Sequence, residues 1–182
     1  MMNLFCCFER KDANEDVNKV VKETNEIIRW EDTDPFVPPI VGGQVIKVYD
    51  GDTITIAGKL PYVESPLYRF SVRLNGIDTP EIKGKSEDEI TVAKQARDEL
   101  SKMILHKYVT LREAKTEKYG RILAEVYFGE VHINKWMIDQ RFAVEYDGGT
   151  KKSPDSWMRY RMVGEIHPIP LKMGLSEAKT QI

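Results

Sequence analysis

The stretch VIKVYDGDT, residues 45–53, decides how this chain is read. Two short β segments, Val41–Tyr49 and Thr53–Ala57, flank Asp50-Gly51, a pair that favours a tight reversal between strands. Outward from it, Leu67–Ile77 sets Tyr68, Phe70, Val72 and Leu74 in alternation with Arg69, Ser71, Arg73 and Asn75. That period of two buries one face and turns the other, carrying Arg73, away from the core layer. Tyr108–Arg112 and Ile122–Phe128 supply two more strands, parted by the polar turn Lys115–Gly120.

Helices lie between and after these strands. Ser86 with Glu89 has the spacing of a capping box, and Ile90, Ala93, Ala96, Leu100, Met103 and Ile104 fall on one helical face. A second helix is expected over Ile133–Gln140, anchored by Trp136 and Met137. Ser153-Pro154 predicts the start of a third, which Gly164 would end. Five short strands with an interposed helix imply an α+β, β-dominated chain: a five-stranded OB-like barrel with two to three helices.

Residues 9–34 are polar and acidic, with a weak helical spacing in Val17, Val20, Val21, Ile27 and Ile28. Pro35, Pro38 and Pro39 then stop any helix. The expected organisation is an acidic extension over 1–40, partly disordered or helical, a barrel domain over 41–150, and a segment 151–182 with a short helix and tail. Residues 1–40 hold 5 Lys+Arg against 9 Asp+Glu, leaving 22 basic and 20 acidic residues in the rest. So balanced a body names no polyanion partner by composition, and any such partner must be met by a local basic stripe.

Cys6 and Cys7 are adjacent, which suits neither an unstrained disulfide nor a tetrahedral zinc site. A reducing compartment is therefore the default. Flanked by Phe5 and Phe8, the pair also offers S-acylation and weak membrane association. Neither a signal peptide nor a membrane-spanning run is read, so an intracellular monomer is expected.

The chemistry-bearing residues are individually ordinary. Asp50-Gly51-Asp52 alone is a hairpin turn, Asp78-Thr79-Pro80-Glu81 ends a strand, and Lys118-Tyr119-Gly120-Arg121 is a polar turn. Together they hold every part that phosphodiester cleavage needs. Asp52, Asp78 and a carbonyl near Thr79 offer oxygens to a hard divalent cation. Glu81 is available as a base, and the forks of Arg73 and Arg121 suit phosphate oxygens. His106, His132 and His167 are scattered without paired spacing, and Trp30, Trp136 and Trp157 read as packing anchors. His106 is expected to cap the long helix.

Val45–Thr53, Phe70–Glu81 and Lys118–Arg121 followed by Ile-Leu-Ala resemble, in order and spacing, the staphylococcal-nuclease (thermonuclease) family over about residues 41–147. The resemblance implies a calcium-dependent endonuclease on an OB-fold barrel, cutting DNA or RNA to leave 3′-phosphates. It implies Asp52 and Asp78 as direct calcium ligands, Thr79 as a backbone-carbonyl ligand, and Asp50 as a ligand through water. Glu81 would be the general base, Arg73 and Arg121 the catalytic arginines, and Lys118, Tyr119 and Tyr146 substrate contacts. Departures from the family are the 1–40 extension, the loop Lys59–Leu67, and the region after Asp147. The alternative is a catalytically weak nuclease-like module that binds nucleic acid or acts as a scaffold.

Overall fold

The computed structural model describes residues 27–117, 119–151 and 153–163. Of the lead-in over 9–34, expected helical or partly disordered, residues 9–26 lie outside the described residues, as do Cys6, Cys7, Lys118, Gly164, His167 and the tail. The chain divides between Pro35 and Phe36 into two units. In the first, Trp30–Asp32 forms one 3-10 turn. Trp30 is 87% exposed there, so it is no packing anchor.

The second unit carries strands β1 (Gly42–Val48), β2 (Thr53–Gly58), β3 (Tyr68–Leu74), β4 (Ile77–Asp78), β5 (Tyr108–Thr116), β6 (Ile122–Phe128), β7 (Val131–His132) and β8 (Val144–Glu145). Its helices are α1 (Glu87–Ile104), α2 (Ile133–Asp139) and α3 (Trp157–Met162). Strands run in the order β3-β2-β1-β5-β6-β7, and a parallel β3–β6 pairing closes five of them into a barrel. This is the expected OB-like, β-dominated α+β architecture. β4 and β8 form a separate two-stranded sheet.

The alternating apolar positions fill the barrel: Val45, Ile54, Ile56, Val72, Leu74 and Val126 are fully buried. Helix α1 closes the barrel with Ala96, Leu100 and Ile104. Val92 is buried on that face, whereas Ile90 is only half-buried. Trp136 and Trp157 are buried as anchors.

Three local expectations change. Strand β5 runs on past Arg112 because Glu113 adopts a left-handed conformation (φ 52°), the register shifts, and pairing resumes at Lys115 opposite Leu123. Such a bulge bends a barrel strand without ending it. Helix α3 begins after Ser156, whose hydroxyl accepts from the Arg159 amide, and not at Ser153-Pro154. His106 lies beyond the end of α1 in a left-handed conformation (φ 63°), and its amide donates to the Val45 carbonyl. It therefore joins α1 to β1 through its backbone and does not cap the helix. Among the described residues, no helix is long and apolar enough to cross a membrane.

Candidate active site

The turn between β1 and β2 is closed by the Tyr49 amide donating to the Thr53 carbonyl at 2.9 Å. Asp50 braces it, its Oδ1 accepting from the Asp52 amide at 3.1 Å. Gly51 is needed for close approach, since a Cβ there would stand 3.0 Å from Thr79 Cγ2 and 3.2 Å from Ala96 Cβ. Asp52 is thereby carried under the surface. Its Oδ1 accepts from the Thr53 hydroxyl at 2.9 Å and its Oδ2 from Arg73 Nη1 at 2.5 Å.

Sheet register places Arg73. It lies opposite Thr53 on β2 and Leu123 on β6, and the Leu74 amide donates to the Asp52 carbonyl at 2.8 Å. Its Nη2 donates to the Ile77 carbonyl at 3.2 Å and stands 3.7 Å from Asp78 Oδ1. One guanidinium thus touches both Asp52 and Asp78. Burial raises the Asp52 pKa, Arg73 lowers it and nearby Asp50 raises it again, for a net value of about 6.

Asp78 is buried through the pairing of Asp78 with Val144 in the β4–β8 sheet. Thr79 beside it is buried too. The loop that presents Glu81 is held by Glu89, whose two oxygens accept from the Glu81 amide (3.2 Å) and the Lys85 amide (3.0 Å). The Ser86 hydroxyl accepts from the Glu89 amide, but the Glu89 carboxylate serves this loop in place of the expected reciprocal cap. Glu81 is exposed, and its Oε1 accepts from Lys151 Nζ at 2.8 Å. The same ammonium lies 2.9 Å from Asp78 Oδ1.

Across the site, Gly120 (φ +78°) turns the chain between β5 and β6. Its amide donates to the Glu117 carbonyl, and the Glu117 amide to the Arg121 carbonyl, both at 2.8 Å. Glu117 then clamps Arg121 with both oxygens, accepting from Nε at 2.6 Å and Nη2 at 2.8 Å. That contact raises the Arg121 pKa. Tyr146 follows β8, its amide donating to the Gly76 carbonyl at 2.9 Å and its hydroxyl to the Gly149 carbonyl at 3.1 Å.

These groups meet in one cavity of about 260 Å³. It is lined by Asp50, Asp52, Arg73, Thr79 and Glu81, and by Glu117, Tyr119, Arg121, Tyr146 and Lys151. Every described candidate lines it except Asp78, which is joined to it through Arg73 and Lys151. Among the described residues, no three His, Cys, Asp or Glu side chains gather as a ready-made metal cluster. The acids instead face cationic side chains. The donors are hard carboxylate oxygens, two carboxylates share one guanidinium, and an ammonium bridges Asp78 and Glu81. That donor set fits an oxygen-seeking divalent cation.

Sequence reasoning missed Lys151 and Glu117. Glu117 sits four residues before Arg121 in the same turn, a proximity open to inspection. Lys151 lies in the polar run 147–153 and is 70 residues from Glu81, so no local pattern marks it. A larger cavity of about 630 Å³ lies alongside and shares Tyr146. In its wall His132 Nε2 and Asn75 Nδ2 lie 2.6 and 2.7 Å from the two Glu125 oxygens, and the His132 ring stacks on Tyr127.

The fold and the site define a class: a small OB-type barrel bearing a carboxylate–arginine pocket on its rim. Residues 71–161, half of the chain, match the staphylococcal nuclease homologue family, and the chain belongs to it. An uncharacterized protein of Bacillus anthracis is 34% identical over 57% of this chain and 47% of its own length. An uncharacterized endonuclease of Escherichia coli is 30% identical over 62% of this chain and 66% of its own. Another, of Haemophilus influenzae, is 33% identical over 57% and 51%. The chain thus spans about half to just under two thirds of these relatives.

Proposed function

We propose that this chain is a calcium-dependent nuclease that hydrolyses phosphodiester bonds in DNA or RNA and leaves 3′-phosphate ends. The observation that carries this reading is the meeting of Asp50, Asp52, Glu81, Arg73 and Arg121 from four separate segments in one polar cavity. Family membership and the relatives named endonucleases support it further.

Asp52, Asp78 and the Thr79 carbonyl would hold the cation, with Asp50 reaching it through water, and the ion would offset phosphate charge. Glu81 takes a proton from a water as the water oxygen bonds to phosphorus. The P–O5′ bond breaks as that bond forms, and the departing oxygen collects a proton to become a hydroxyl. Arg73, fixed between Asp52 and the Ile77 carbonyl, donates toward the departing oxygen. Arg121 donates to the equatorial oxygens, where charge accumulates. Lys118, Tyr119 and Tyr146 would contact the nucleotide. A monomer completes this reading on sequence grounds alone.

Purified protein is to be incubated with plasmid and with single-stranded substrate, in calcium, magnesium or chelator, and the product ends analysed. Chelator-sensitive cutting with 3′-phosphate ends is expected. Binding without cutting would favour the nuclease-like binding module instead.

A further inference from the structure

Lys151 lines the cavity, has no task in the reaction outlined above, and bridges two acids of the site. Its Nζ lies 2.9 Å from Asp78 Oδ1 and 2.8 Å from Glu81 Oε1. Burial lowers the Lys151 pKa, but the Glu81 and Asp78 carboxylates outweigh it and the pKa is raised, so the group stays an ammonium. A calcium ion bound to Asp78 would sit about 2.3–2.6 Å from its oxygens. Two cations on one carboxylate repel at such a distance, so the ammonium and the ion each weaken the other's hold on Asp78.

The segment bearing Lys151 is built to let go. Lys151 is half-exposed, and only its ion pairs tie it to the acids. Before it come Gly148 (φ +88°) and Gly149, which give the backbone room to swing. The turn has its own bonds, from the Gly149 amide to Asp147 Oδ1 at 2.9 Å and from the Tyr146 hydroxyl to the Gly149 carbonyl. Arg73 differs in kind. It is locked by β-sheet register and by the Ile77 carbonyl, and so cannot withdraw.

We propose that Lys151 is a built-in counter-ion that competes with the divalent cation for Asp78, so that Lys151 and the glycine turn before it draw back from the carboxylates as the cation binds. This rests on the cation site proposed above and adds a regulator to it. The lysine screens Asp78 and Glu81 from one another and sets the cation concentration at which the site loads.

Calorimetric titration of the full chain with calcium chloride, without nucleic acid, tests it. Lys151→Met keeps the aliphatic stem and removes the charge, and is expected to bind calcium about tenfold more tightly, the factor by which a tenfold-favoured closed form lowers apparent affinity. Unchanged or weaker binding overturns the proposal. In the unaltered protein, amide hydrogen exchange over 146–151 is expected to quicken on adding calcium, and unchanged or slower exchange also overturns it. Strand cutting by a protein that fails these tests would leave the nuclease reading standing without the lysine's role. Tighter calcium binding by Lys151→Met with no cutting would do the reverse.

Discussion

Two groups of residues at the site are held by different means. Asp52, Arg73 and Asp78 are fixed by backbone pairing, and their side chains are 6%, 13% and 3% exposed. Glu81, Lys151 and Arg121 stand on connecting loops at 63%, 48% and 28%, held by ion pairs between side chains. The first group cannot move without breaking strand pairing, that of the barrel for Asp52 and Arg73 and that of β4 with β8 for Asp78. The second can exchange partners, because its members stand on connecting loops and are tied by ion pairs between side chains. A site that must grip a charged substrate and then release it benefits from one rigid wall and one adaptable wall.

The largest expected effect strikes the rigid wall. Arg73→Ala takes from buried Asp52 the guanidinium paired with it, and losing one partner of a buried pair is expected to remove about 3–5 kcal/mol of stability. Turnover should fall by at least a hundredfold as well, the scale for losing one preorganised donor. Thermal melting and single-turnover cleavage check both, and a wild-type melting curve would break the distinction between the walls. On the adaptable wall, turnover and stability should part company. Glu81→Gln cannot accept the water's proton and is expected to lower turnover about a hundredfold. Its melting should be near normal, since surface changes usually stay within about 0.5 kcal/mol. Arg121→Lys keeps the charge but loses the fork, and the same measurements should show about a hundredfold loss of turnover with a native melt.

The same division governs what the sequence discloses. Alternation in Tyr68–Leu74 and the reversal at Asp50-Gly51 are local consequences of strand geometry, so β1, β2, β3 and β6 are legible from side-chain order alone. The rigid wall follows because Asp52, Arg73 and Asp78 stand at or beside strand ends. Partners on the adaptable wall are not so readable. The Lys151–Asp78 contact joins residues brought together by the β4–β8 pairing, and β8 is only two residues long. Nothing near Ser156 outweighs the Ser153-Pro154 signal, yet the helix starts where Trp157 can be buried, a choice made by tertiary packing. Gly51 reads as a turn glycine, whereas its reason is contact with Thr79 and Ala96, residues 28 and 45 positions later.

Glu117 brings a measure of rigidity to the adaptable wall. Its carboxylate meets Arg121 through two short bonds while its own amide ties the turn to the Arg121 carbonyl. Glu117→Gln preserves shape but cannot accept from both guanidinium nitrogens. A hydrogen bond to a charged group contributes about 1.5 kcal/mol, which corresponds to roughly a tenfold fall in kcat/KM if the clamp presents Arg121 to the phosphate. The loss should vanish when Arg121 is already lysine, because the two changes act on one contact and are not additive. A rise in kcat/KM for Glu117→Gln would mean that the clamp holds Arg121 back from the substrate. The carboxylate would then be a restraint on the adaptable wall, as the ammonium of Lys151 is on the acids facing it.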